Sequence, residues 1–218
     1  MPPPTLDIGS AEALLIVDPQ VDFCPDGALA VPGGDEIMAG INSLAERFGL
    51  VVVTQDWHPA DHRSFASNHE GGIPFATVAM PYGLQVLWPD HCVQGTAGAA
   101  FHPAIAAGAL TRAQLVLRKG HDREIDSYSA FFENDRRTPT GLAGYLRERG
   151  VQHCVLVGLA YDFCVAWSAL DAVAQGFAVT VIKGLTRSIA IPGPDGIATD
   201  IAADRDLAAA GVQVIAAA

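Results

Sequence analysis

Short β-branched and apolar runs alternate with stretches of helical spacing along most of the chain. ALLIVD (13–18) is a continuous apolar run closed by a carboxylate, the pattern of a strand buried on both faces of a parallel sheet. In 35–47, DEIMAGINSLAER, the apolar residues Ile37, Met38, Ile41, Leu44 and Ala45 fall on one helical face. LVVVTQD (50–56), QLVLRK (114–119), HCVLVGLA (153–160) and AVTVIK (178–183) are further expected strands. TGLAGYLRERG (140–150) reads as a helix ending on a C-cap glycine. An Ala-rich helix at 163–175 separates two of the strands, and a last helix near 198–210 leads into VQVIA. From Trp57 to about Ala113 the pattern weakens into a loop-rich stretch of proline, glycine and histidine. A long irregular segment inside a compact domain usually serves function.

Strands separated by helices make parallel, right-handed βαβ units. The expected fold is therefore α/β, a doubly wound sandwich with a six-stranded, mostly parallel sheet and helices on both faces. A length of 218 residues fits one domain spanning 1–218. A chain of that size buries roughly 70% of its unfolded surface and needs no disulfide staples.

Ligands of such sheets bind outside the carboxyl ends of the strands. Reactive residue types fall at those ends: Asp18, Asp56 and Lys119 each close a strand, and Cys164 lies just past 153–160. Each alone has an ordinary explanation, because strand ends are polar and a cysteine is usually a small buried apolar residue. Together they make a set with acid, base, thiol and metal-binding character. Cys164 is expected at a helix start, where the partial positive charge of the N-terminus lowers a thiol pKa and N–H groups face an oxyanion. Asp18 is the candidate base, and Lys119 would keep it ionised. In DWH (56–58), Asp56 and His58 sit two apart, so in extended chain their side chains share a face. His91, in WPDHC, supplies a second imidazole, and this donor set suits zinc, iron or manganese. His62, Ser64, His69 and Glu70 are nearby candidates for a further ligand, and spacing does not choose among them. Phe23, Trp57, Trp88 and Tyr128 could wall a flat aromatic substrate.

Composition narrows the partners. Half the residues are apolar, 17% are charged and the net charge is −11, with a sequence pI near 4.8. Such a surface repels phosphate backbones and anionic lipid, so neither nucleic acid nor membrane is expected as a partner. No GxGxxG follows a strand and no GxxxxGK[ST] occurs, so a nucleotide-phosphate site has no support. MPPPTLDIGS lacks a basic region followed by an apolar core, and no run approaches the ~20 apolar residues of a membrane span. A cytoplasmic location is expected, with the four cysteines reduced. Homo-oligomerisation is left open.

Five motifs then occur in a known order: LLIVDPQVDFCPDGALAVPGG, VVTQDWHPADHRSFAS, WPDHCVQGT, LRKGHDREIDSYSAFF and GLAYDFCVAWSALDA. Along nearly its whole length the chain resembles the nicotinamidases of the isochorismatase-like cysteine hydrolases, with the RKG…DSYSAFF stretch resembling nicotinamidases in particular. The resemblance implies hydrolysis of nicotinamide to nicotinate and ammonia through a cysteine thioester, in NAD salvage, and action on pyrazinamide. It implies Asp18, Lys119 and Cys164 as the catalytic set, and one divalent metal on Asp56, His58 and His91, with zinc ahead of iron or manganese. Some members of that family carry a further histidine ligand in this loop, but the loop between His58 and Ser64 is short and His62 does not align with it, so Ser64, through water, is the alternative. It implies a cis peptide at Leu159–Ala160, an oxyanion hole from the N–H groups of Ala160 and Cys164, and a pocket lined by Phe23, Trp88 and Tyr128. Two rival readings are a relative acting on another small amide and a binding module that has lost chemistry. The metal-ligand set argues against the first, and the intact Asp18, Lys119 and Cys164 against the second.

Overall fold

The computed structural model describes residues 8–193 and 195–217, so the first seven residues of MPPPTLDIGS lie outside it. The described residues form eight strands and five α-helices. In chain order they are β1 (Glu12–Val17), α1 (Met38–Ala45), β2 (Val51–Asp56), β3 (Thr77–Met80), β4 (Gly83–Val86), α2 (Pro103–Ala107) and β5 (Leu115–Lys119). Then come α3 (Leu142–Glu148), β6 (His153–Leu159), α4 (Ala166–Ala174), β7 (Ala178–Arg187), α5 (Thr199–Ala209) and β8 (Gln213–Ile215).

Six strands form one sheet in the order β5-β2-β1-β6-β7-β8, and every pair in it is parallel. The sheet expected as mostly parallel is thus wholly so. β1 and β2 are apolar without alternation because both faces are covered, and Ala13–Val17 and Val51–Val53 have no exposed surface. From β1 the chain first builds outward through β2 and β5, then returns to the other side of β1 as β6. The connections leaving β1 and β6 therefore diverge, which opens a crevice at their carboxyl ends. Gly158 (φ +111) lets those two ends touch, because a Cβ there would collide with the backbone of Val17.

Some local expectations needed correcting. The helix read over 35–47 is confined to Met38–Ala45, with the residues just before it in turns. The loop-rich segment contains an antiparallel hairpin, β3 with β4, that the sequence reading missed. Its strands have four residues each and bury little, so they leave a weak hydrophobic signature. The helix expected over 163–175 begins as a π-helical turn, Tyr161–Val165, before α4 proper. Gly150 (φ +71) follows α3 in the left-handed conformation expected of a C-cap glycine. Among the described residues no helix is long and apolar enough to cross a membrane.

Candidate active site

Three strand ends and the turn after β6 meet at the crevice. Asp18 follows β1 directly with a left-handed backbone (φ 44) and has no exposed surface. Thr54 of β2 holds it twice, accepting from the Asp18 N–H at 3.0 Å and donating to its Oδ1 at 2.6 Å. Lys119 ends β5 and is equally buried. Its Nζ lies 2.8 Å from Asp18 Oδ2, forms an ion pair with Asp56, donates to the Ser127 carbonyl at 2.9 Å and reaches Cys164 Sγ at 3.4 Å. The contact with Asp18 is a charge-assisted pair between two fully buried groups.

This crowding sets the proton affinities. Burial, with the charge of Asp56 added, pushes the Asp18 carboxyl up to about 6 against the pull of Lys119 and Thr54. Burial opposes a charge on Lys119 too, but Asp18, Asp56 and Cys164 around it outweigh that and hold its pKa well above the ordinary value. The thiol of Cys164 departs from expectation. A helix N-terminus was expected to lower its pKa, whereas burial raises it well above the ordinary value, with Lys119 opposing and Asp18 and Asp56 adding to the rise. The cause is position: Cys164 lies inside the buried π-helical turn, ahead of α4, and faces two carboxylates.

Beside this cluster stands a second one. Asp56 Oδ2 is 3.7 Å from His58 Nε2 and 3.9 Å from His91 Nε2. Each imidazole has its Nδ1 at 2.8 Å from a backbone carbonyl, Gly120 for His58 and Pro89 for His91. A carbonyl only accepts, so Nδ1 carries the proton and the Nε2 lone pairs are left for a common point. Asp56 itself is fixed by the side chain of Gln20, which donates to its carbonyl at 2.8 Å and accepts from its N–H at 2.7 Å. Burial favours a protonated Asp56 but Lys119 and His58 overrule it, and its pKa is lowered. Burial holds His91 neutral, down to about 4, with His58 contributing. Asp18 and Asp56 together share one buried ammonium, so the site carries surplus negative charge next to two imidazole lone pairs. That donor set suits a divalent metal.

Of the other candidates, His62 is fully buried and packs 4.4 Å from the His58 ring, with Nε2 unpartnered. His58, His62 and Asp126 form a second group of close ligand atoms. The Ser64 hydroxyl is 2.7 Å from His62 Nδ1, so any part it has in holding an ion runs through His62 or a water. His69 instead bonds the Arg63 carbonyl at 2.7 Å.

Cys164 of the first cluster and Asp56, His58 and His91 of the second line a small pocket with Phe23, Trp88, Tyr128, Phe163 and Ile189; its cavity volume of about 20 Å³ is room for little more than one water. Trp88, Tyr128 and Phe163 stand edge to face, with centroids 4.9 to 6.1 Å apart. The Tyr128 hydroxyl accepts from Trp88 Nε1 at 3.1 Å and Gln85 Nε2 at 3.0 Å, which locks this wall. Ala160 also lines the pocket, and the Leu159–Ala160 peptide is cis. Trp57 does not line it; its ring lies under the Arg118 guanidinium at 3.9 Å. Asp126, Leu29 and Ile189 line the pocket and were not singled out from sequence. Asp126 and Leu29 lie within the resemblance motifs, whereas Ile189 lies beyond them with no local signal.

A family model described as the isochorismatase domain matches residues 12–195. The chain belongs to the isochorismatase family. Within that family it is 55% identical to the nicotinamidase of Acinetobacter baylyi, over 83% of each chain. It resembles the solved nicotinamidase/pyrazinamidase of Acinetobacter baumanii with a TM-score of 0.90 at 49% identity, covering 95% of this chain and 96% of that one. The solved pyrazinamidase of Pyrococcus horikoshii, in complex with zinc, matches with a TM-score of 0.72 at 32% identity, covering 94% and 98%.

Proposed function

We propose that this protein is a nicotinamidase that hydrolyses the carboxamide of nicotinamide to nicotinate and ammonia, in NAD salvage, and that it also accepts pyrazinamide. The observation that carries the reading is the reach of one buried ammonium. Lys119 Nζ lies within 3.4 Å of both the Asp18 carboxylate and the Cys164 sulfur, and Cys164 in turn lines an aromatic-walled pocket. The nicotinamidases to which the chain is similar support the same substrate class.

The neutral thiol and the elevated carboxyl fit each other. Burial disfavours a thiolate on Cys164, so its proton leaves as it attacks, and the Asp18 carboxylate, with a ligand atom within 4.8 Å of the sulfur, is the acceptor beside it. Sγ attacks the carboxamide carbon while Asp18 takes the proton. The N–H groups of Ala160 and Cys164 are the proposed donors to the tetrahedral oxyanion. Asp18 returns the proton to the departing ammonia, leaving a thioester on Cys164. Water then adds to the thioester carbonyl, Asp18 takes its proton, and nicotinate leaves as the thiol is restored. Lys119 keeps Asp18 available as an anion between these transfers.

Asp56, His58 and His91 would hold one divalent ion, zinc first, with iron or manganese also suited to the donors; Ser64, through water, is the proposed further contact. When bound, the ion supplies an anchor for a ring nitrogen and positive charge beside Asp56. Phe23, Trp88 and Tyr128 would sandwich and orient the ring. With Cys164→Ala, ammonia release from nicotinamide is expected to fall at least ~10³-fold with the fold intact. Wild-type release by that variant would overturn the mechanism, and no release by the wild type would overturn the substrate.

A further inference from the structure

The turn that carries Cys164 also carries a buried carboxylate that the reaction does not use. Asp162 is 6% exposed, two residues before the nucleophile. Its hydrogen-bond donors Ile189, Ala190 and Thr199 all lie in the segment after β7. Oδ1 accepts from the Ile189 N–H at 3.0 Å, and Oδ2 accepts from the Ala190 N–H at 2.8 Å and the Thr199 hydroxyl at 2.5 Å. Ala190 has a left-handed backbone (φ 57), a conformation an L-residue rarely adopts without being held. The segment closes on itself above this anchor: Thr199 N–H donates to the Ile191 carbonyl at 2.9 Å, and Pro192 bridges Ala198. Ile189 lines the pocket from here, together with Phe163 and Cys164. The neighbouring Tyr161 bonds Asp204 of α5, so consecutive residues of the turn grip both ends of this wall.

We infer that Asp162 is a positioning residue that sets substrate fit by holding Ile189 against the pocket, so that this wall is latched to the nucleophile's own turn. The inference rests on the nicotinamidase reading. Because these carboxylate bonds leave the turn for the 189–199 segment, their loss should free the wall and spare the attack geometry. KM should then suffer more than kcat, and the pocket should tolerate larger rings.

The test is steady-state kinetics on nicotinamide and on a ring-alkylated nicotinamide, for the wild type, Asp162→Asn, Thr199→Val, Ile189→Ala and the Asp162→Asn/Ile189→Ala double variant. Asparagine turns one acceptor into a donor facing a donor, so Asp162→Asn is expected to raise KM roughly tenfold with kcat within about threefold. Thr199→Val removes one of the three bonds and should raise KM a few-fold in the same direction. Ile189→Ala should reproduce the KM rise and the relaxed preference for unsubstituted nicotinamide, and the double variant should be no worse than the more affected single one. Amide exchange at residues 189–191 should quicken in Asp162→Asn, a readout that needs no turnover. Unchanged KM in both Thr199→Val and Ile189→Ala overturns the inference even if Asp162→Asn does not fold. A collapse of kcat at unchanged KM also overturns it, by placing Asp162 in service of the turn. A wild type with no activity on nicotinamide would instead sink the substrate reading, leaving the exchange result to judge the latch.

Discussion

The proposed site has two halves built by different means. The reactive half, Asp18, Lys119 and Cys164, sits on strand ends and the turn after β6, and is charged, buried and tightly bonded. The binding half, His58, His91, Phe23, Trp88 and Tyr128, comes from loops held by backbone carbonyls and edge-to-face rings. Strand register fixes the first to within the pitch of the sheet; the second depends on long-range contacts between segments far apart in the chain. One group belongs to both, because Lys119 pairs with Asp18 in one half and with Asp56 in the other.

Removing that shared charge should break the comparison most severely. Lys119→Met leaves two buried carboxylates with no cation between them, a loss on the order of 3–5 kcal/mol. Turnover is expected to fall roughly 10³-fold or more, accompanied by a lower melting temperature. A variant that melts like the wild type would show that the two halves do not share this charge. Disturbing only the binding half should cost less. A chelator, or His91→Ala, is expected to weaken substrate binding about 10- to 100-fold while Cys164 still reacts with an alkylating agent. Activity indifferent to both treatments would remove the metal from the reading.

The gentlest probe is pH. Asp18 must be ionised to accept the thiol proton, so kcat/KM should fall about tenfold per unit below pH 6, the value to which burial lifts this carboxyl. Stability moves the other way. A carboxyl raised in the folded state contributes stability that is whole below its ordinary value of 3.8 and is lost as pH rises through about 6. A rate profile flat from pH 5 to 7 would take Asp18 out of the role of base.

Much of this was legible from residues alone. Asp18, Asp56 and Lys119 were found because each closes an expected strand, and the sheet rule says where such ends gather. The parallel order followed from the alternation of strand and helix. Other features had no local signature. The β3–β4 hairpin buries too little to leave a pattern, and Ile189 is one isoleucine in a loop until Asp162 gathers its backbone. Gln20 looks like part of an ordinary loop, yet it extends the pairing of β1 and β2 to hold Asp56.

Cys164 marks the boundary most clearly. Sequence placed it past a strand end, near a base and an ammonium, because those relations follow from periodicity and from the parallel sheet. Its protonation state depended on what the fold packs around it. A helix N-terminus offers a fraction of a charge, whereas burial facing two carboxylates strips away most of the water that would stabilise a thiolate. Chemistry types and their strand-end positions are local properties, written into the chain. Solvation and the net field at one atom are sums over the whole molecule, and only the tertiary structure decided them.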